Sequence, residues 1–120
     1  MDLKLKDLRD ACEEMGLIFA LRCCGHYYYT ISKNCSHWLI HYVGDDEQCV
    51  FLEISTEWVN VNGEFLPDTP KRLMENISKE QLKQEIKEML IKLKKAMIQK
   101  KKNDIEQDFW EHTYTITGTY

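Results

Sequence analysis

Residues 27–42 read YYYTISKNCSHWLIHY. Two runs rich in aromatic and β-branched residues flank Ser32-Lys33-Asn34, the pattern of two strands joined by a turn. Apolar runs on either side, Leu17–Cys23 before and Cys49–Ile54 after, extend this hairpin into a sheet. A turn centred on Lys33-Asn34 places Tyr28 opposite Leu39 and His26 opposite His41. Side chains alternate across a strand, so Tyr27, Tyr29, Ile31, Trp38, Ile40 and Tyr42 share one face. A turn at Cys24-Gly25 adds Ile18 and Ala20 to it. The other face collects Leu17, Phe19, Leu21, Tyr28, Leu39, Val50, Leu52 and Ile54, together with His26, His37 and His41. Neither face is polar, so each needs a helix or a partner to cover it. The simpler reading puts one helix on each face; the reading that bears on function puts both helices on the aliphatic face and leaves the aromatic face open for a partner.

Upstream, Asp2 caps a helix over Leu3–Met15 whose stripe is Leu5, Leu8, Cys12 and Met15, one face of a 3.6-residue period. Gly16 follows as its C-terminal glycine. Leu17–Cys23 is apolar except for Arg22 and reads as a strand buried on both faces. Downstream, Gly44-Asp45-Asp46-Glu47 is an acidic loop, and Asn62-Gly63 is a type I′ turn joining Trp58–Val61 to Glu64–Leu66. Pro67-Asp68-Thr69-Pro70 ends the sheet, with Thr69 opening a short helical turn through Met74. Ser78 and Gln81 have capping-box spacing ahead of a stretch, Lys79 to Lys102, without Gly or Pro. The tail, Thr113 to Tyr120, has strand patterning and reads as an edge strand or a frayed end.

These elements predict a single α+β domain over residues 1–120: an antiparallel four- to five-stranded meander flanked by an N-terminal helix and a long C-terminal helix. On the long helix, Leu82, Ile86, Met89, Leu90, Leu93 and Met97 fall on one side at about 100° per residue. Ile91, Ile98, Ile105 and Phe109 fall on the other, the isoleucines spaced by sevens as in a coiled-coil seam. Asn103-Asp104 is a place where this helix could break and fold back. Unbroken to Trp110 it would run roughly 48 Å, beyond the width of a small domain.

The net charge of −4 disfavours a surface given over to nucleic acid, and lysine outnumbers arginine 13 to 3. The run Lys92, Lys94, Lys95, Lys100, Lys101 and Lys102 is the one nucleic-acid candidate, with Lys94, Lys95, Lys101 and Lys102 as its contacts. It lacks the arginines of base readout and the interleaved aromatics of single-strand binding, so it reads first as a solvated helix end. The N-terminus has no signal-peptide core, and no apolar run is long enough to span a bilayer. Five cysteines in odd number suit free thiols in the cytoplasm.

The cluster Cys23, Cys24, His26, Cys35, His37, His41 and Cys49 invites a zinc reading, but its spacing matches no zinc-binding pattern. Cys35 stands six residues from His41, about 20 Å along a strand, too far to share a metal with the His26–His41 pair. No glycine-rich phosphate loop and no activated-serine motif occurs. No cofactor, metal or enzymatic activity is expected.

The function expected is non-catalytic protein binding, carried by Tyr27, Tyr29, Trp38 and Tyr42 on the sheet and by Ile91, Ile98 and Phe109 on the long helix. Small size, acidity, lysine bias and the lack of enzymatic motifs are shared with phage-encoded inhibitors of host defence enzymes, anti-CRISPR proteins among them. That likeness is one of size and composition only. The excess of apolar surface also predicts a homodimer. A nucleic-acid or nucleotide binder, and a small zinc or thiol protein, are the alternatives.

Overall fold

The computed structural model describes residues 3–33, 37–73 and 77–117, with side-chain surroundings as far as residue 107. The elements run α1 (Leu5–Glu14), β1 (Ile18–Cys23), β2 (His26–Thr30), β3 (Ile40–Gly44), β4 (Cys49–Val61), β5 (Glu64–Arg72) and α2 (Lys79–Thr117). The strands form one antiparallel sheet in the order β1-β2-β3-β4-β5. The fold is the expected α+β meander between a short N-terminal helix and a long C-terminal one.

Local chemistry accounts for most boundaries. Helix α1 begins after Lys4, whose N–H donates to the Asp7 carboxylate at 3.1 Å. Asp2, the expected cap, lies outside the described residues. At the other end Gly16 N–H donates to Glu13 O, and Leu17 N–H to Cys12 O, with Gly16 at φ 78°. That is the Schellman arrangement, in which glycine takes the left-handed position. Cys24-Gly25 and Asn62-Gly63 both have positive φ at both residues, as type I′ turns require. Ser78 Oγ accepts from Gln81 N–H while Gln81 Oε1 accepts from Ser78 N–H, closing the capping box.

Both helices lie on one face of the sheet and share a core with it. Leu8, Cys12, Tyr42, Leu52, Leu82 and Ile86 are fully buried in that core. Trp58 anchors α2 over β4 by donating its indole N–H to Met89 O at 2.8 Å. Lys92 Nζ reaches Thr56 O from the next turn.

Several expectations are corrected here. The central register is Tyr27↔Tyr42, Tyr28↔His41 and Tyr29↔Ile40, two residues from the one read off the sequence. A two-residue slip keeps each side chain on its face, so Tyr27, Tyr29, Ile40 and Tyr42 do stay together. Trp38 does not join them. Residues 37–39 precede the regular strand, and Leu39 turns inward so that Leu39 and Ile40 are both fully buried. Alternation is broken there, and Trp38 emerges on the other side. Bulges break it twice more: Ala20 is extra between Phe19↔Tyr29 and Leu21↔Tyr28, and Val50 is extra between Gly44↔Cys49 and Val43↔Phe51. The Val50 bulge brings Cys49, Leu52 and Ile54 onto the Tyr42 face.

β1 is not buried on both faces. It is an edge strand with Phe19 50% and Leu21 56% exposed. The two expected runs Cys49–Ile54 and Trp58–Val61 fuse into one 13-residue strand. No helical turn opens at Pro70. Pro67 and Pro70 sit in β5, an edge strand where a missing N–H removes no ladder bond; Met74 lies outside the described residues. Helix α2 runs unbroken through Asn103-Asp104, where Gln99–Asn103 and Lys100–Asp104 pair one turn apart. Thr113–Thr117 continue the helix rather than form a strand, and residues 118–120 lie outside the described residues. At 39 residues the helix is roughly 58 Å long. Hence the molecule measures 73 × 25 × 21 Å with a radius of gyration of 19.0 Å, against about 14 Å for a compact chain of this length.

This core can be tested at two points. Leu52→Ala, in the middle of the covered face, should destabilise the fold by roughly 2–5 kcal/mol in a chemical melt. Glu14 bridges the helices, 2.8 Å from Lys79 Nζ and 2.6 Å from Lys83 Nζ. Hydrogen bonds from those two lysines hold its carboxyl at about 2, below the ordinary 4.5. A carboxyl depressed on folding stabilises above its unfolded pKa and loses that contribution as pH falls. Acid unfolding should therefore show a component between about pH 4.5 and about pH 2 that Glu14→Gln removes. The bridge is exposed, so the component is small.

Candidate functional site

With both helices on the Tyr42 face, no element among the described residues covers the other face of the sheet. Residues directly opposite one another on neighbouring strands share a face, and one such row crosses the whole sheet: Leu21, Tyr28, His41, Glu53 and Arg72. His26, Trp38 and Phe51 lie beside it. The rings pack against each other rather than into a core. Tyr28 stacks on His41 with centroids 4.6 Å apart, and Trp38 tilts against the same ring at 5.3 Å. Phe51 meets His41 edge-on at 5.6 Å and carries the Arg72 guanidinium 4.2 Å above its own centroid. Each of these rings is partly exposed. Beside Trp38 the surface dips into a cavity of about 230 Å³ lined by His37, Ser55, Pro67, Asp68 and Pro70.

At the centre of this face His26 Nδ1 and His41 Nε2 are 2.8 Å apart, so one imidazole N–H donates to the other ring's bare nitrogen. Burial against the rings pushes the His41 pKa down, Glu53 opposite it pushes up, and His26 pushes down. His41 thus favours its neutral form. Cys23 stands opposite His26 in register, its thiol 3.6 Å from that of Cys24. Among the described residues no three His, Cys, Asp or Glu side chains converge on a metal position, and Cys35 lies outside them.

The residues singled out from sequence fall into three places. Tyr27, Tyr29 and Tyr42 are 6%, 4% and 0% exposed beneath the helices. Their hydroxyls are no obstacle to burial: Tyr42 donates to Asp45 O at 3.0 Å, and among the described residues every buried side-chain N or O has a partner. Burial pushes the Tyr29 hydroxyl up to about 12. Trp38 stands on the open face. Ile91 and Ile98, 42% and 50% exposed, project from α2 away from the sheet, as expected of the back stripe; Met97, assigned to the sheet-facing stripe, is also exposed because α2 has by then passed the domain's edge. Phe109 is helical, and its side chain lies outside the described residues.

Lys94, Lys95, Lys101 and Lys102 are exposed on the same overhang, one layer removed from the open face. Lysines and open-face rings therefore do not form one surface. Asp45, in the acidic loop, shapes the β3–β4 turn by accepting from Glu47 and Gln48 N–H. Sequence reading missed Tyr28, His41, Phe51 and Arg72 as a group. The signal was present in the alternation of His26, Tyr28 and His41 against Tyr27, Tyr29 and Tyr42.

A histidine whose pKa is lowered on folding stabilises the fold above its unfolded value of 6.5 and loses that contribution as pH falls from there toward the folded value. Melts between pH 7.5 and pH 5 should show a drop in stability below about 6.5, and His41→Gln should abolish its pH dependence. An imidazole titration of His41 by NMR at or above 6.5 would contradict the burial-driven shift.

Among the described residues no helix is long and apolar enough to cross a membrane. No protein-family model, no curated protein and no solved structure matches this chain.

Proposed function

We infer that this chain is a non-catalytic protein-binding module whose docking surface is the open face of the sheet around Trp38, Tyr28, His41 and Phe51. The observation that supports this is the placement of both helices on one side, which leaves a continuous, partly exposed ring cluster that no element among the described residues covers. Tyr, Trp and Arg are the residues that anchor interfaces, because they bury large area while keeping a polar end satisfied. The cavity beside Trp38 can take one inserted side chain of a partner. The overhang of α2, with Ile91 and Ile98 exposed, offers a second contact for a large partner or for a second copy of the chain. Small size, net charge of −4 and lysine bias suit an intracellular inhibitor of the phage-encoded kind, anti-CRISPR proteins among them, acting in the cytoplasm by occupying a host enzyme's surface.

The test compares variants, not mere capture. Trp38→Ala should leave the melting temperature much closer to wild type than Leu52→Ala does, because its ring packs on the open face outside the core cluster, yet remove the proteins retained by immobilised wild-type chain from a host lysate. Retention unchanged in both Trp38→Ala and Tyr28→Ala would sink the open face as the docking surface. A melting temperature collapsing as far as that of Leu52→Ala would reassign Trp38 to the core. Sedimentation at micromolar concentration separately addresses the homodimer: a strictly monomeric species at high concentration would remove the second copy as the occupant of the α2 overhang.

A further inference from the structure

On the helix side of the sheet, α1 and the edge strand β1 do not close on one another. Between them lies a groove of about 360 Å³, within the range of small-molecule sites. Its floor is apolar and aromatic: Leu5, Tyr27 and Tyr29 are nearly buried, and Phe19, 50% exposed, forms the wall. Phe19 meets Tyr29 edge-on with centroids 5.5 Å apart, so the wall stands upright against the floor. Two guanidinium groups look onto this floor. Arg22 lies 5.3 Å over the Tyr27 ring, and Arg9 lines the groove beside Tyr29, where its charge works against the burial-driven rise of that hydroxyl's pKa.

The arginines are the informative part. This chain uses lysine for 13 of its 16 basic residues, yet two of its three arginines line one groove. Arginine differs from lysine in presenting a planar fork that matches a carboxylate or phosphate with two parallel hydrogen bonds. Neither Arg9 nor Arg22 belongs to any ion pair among the described residues. Glu13 is the single acid in the lining, so the groove is locally positive on a molecule whose net charge is −4.

We propose that the α1–β1 groove is a binding site for a small organic anion, a carboxylate or phosphate ester carried on a flat or apolar body. The body lies on Tyr27 and Tyr29 against Phe19, and the anionic group is held between Arg9 and Arg22. Glu13 faces the same space and weakens the attraction for any anion held there. The site is on the opposite side of the sheet from the proposed protein-docking face, so it stands or falls independently of that reading.

Titration of the full-length chain with phenyl phosphate, benzoate, benzyl alcohol and benzylamine at constant ionic strength, followed by amide NMR shifts, tests this. Saturable shifts confined to residues 5–13, 19–22 and 27–29 are expected for the two anions, with far weaker effects from the alcohol and none from the amine. Arg9→Gln and Arg22→Gln should each weaken anion binding roughly tenfold, the loss of a charged hydrogen bond. Arg9→Lys and Arg22→Lys should fall in between, because charge is kept and the fork lost. Glu13→Gln should tighten it. The relative strength of phenyl phosphate and benzoate identifies which anion the fork prefers. Equal binding of benzyl alcohol, shifts scattered over the α2 lysines, or arginine variants that bind as wild type would each overturn the proposal.

Discussion

Burial of Tyr42 is the constraint on which the rest of this structure depends. It is the largest side chain with no exposure, paired across the strands with Tyr27 on one side and Leu52 on the other. A buried aromatic removes about 150–250 Å² from water, worth roughly 4–6 kcal/mol at about 25 cal/mol per Å². That gain survives only if its hydroxyl finds an acceptor, since an orphaned buried donor costs about 1–3 kcal/mol. The Asp45 carbonyl supplies one at 3.0 Å, and it can do so because the Asp45 carboxylate pins the turn through Glu47 and Gln48 N–H. Gly44 is part of the same device: a Cβ there would collide with the Gln48 carbonyl and crowd Cys49 Cα. An acidic loop that looks like surface decoration is thus what allows a tyrosine to sit at the centre of the core.

Once that face is the core, the two helices have one place to go. Their stripes, Leu5, Leu8 and Cys12 on α1 and Leu82, Ile86 and Met89 on α2, converge on it, and Glu14 ties the end of one to the start of the other. Among the described residues nothing comparable remains for the opposite face. Helix α2 is long enough to cover more surface than it does, but Trp58 fixes its direction by holding Met89. Beyond about Leu93 it has left the sheet behind. The open face and the overhang are therefore one consequence of a single packing choice.

Features governed by local chemistry are legible in the sequence. The Gly16 stop, the two type I′ turns, the Ser78–Gln81 box and the helical periods are each specified within a few residues, and each is where the residues put it. The illegible features depend on events that shift a strand by one residue. Bulges at Ala20 and Val50, and the inward turn of Leu39, carry no distinctive residue signature, yet each exchanges the faces of the residues beyond it. That is why the partnership of Tyr27, Tyr29 and Tyr42 can be read while its burial cannot, and why simple alternation puts Trp38 among them. Pro67 and Pro70 mislead for a different reason: proline marks a strand end in general but is tolerated at a sheet edge, and edge status is a property of the whole topology. At Asn103-Asp104, side-chain pairing within the helix outweighs the capping preference of the same residues.

An uncovered aromatic face is ordinarily an aggregation hazard, and the way this one is built bears on its role. Both edges of the sheet are blunted against strand addition, β5 by two prolines and β1 by the Ala20 bulge. The rings shield one another by stacking, which lowers the apolar area each shows to water. Polar groups are set among them: the His26–His41 pair at the centre, Glu53 and Arg72 across the row. A bare hydrophobic patch binds anything apolar. A patch with a hydrogen-bonded imidazole pair and one charge of each sign accepts only surfaces that answer those groups, because an unmatched buried polar group costs more than a matched one returns. The polar insertions weaken the face as a generic sticky surface while making it selective, which is the balance that the proposed docking role requires.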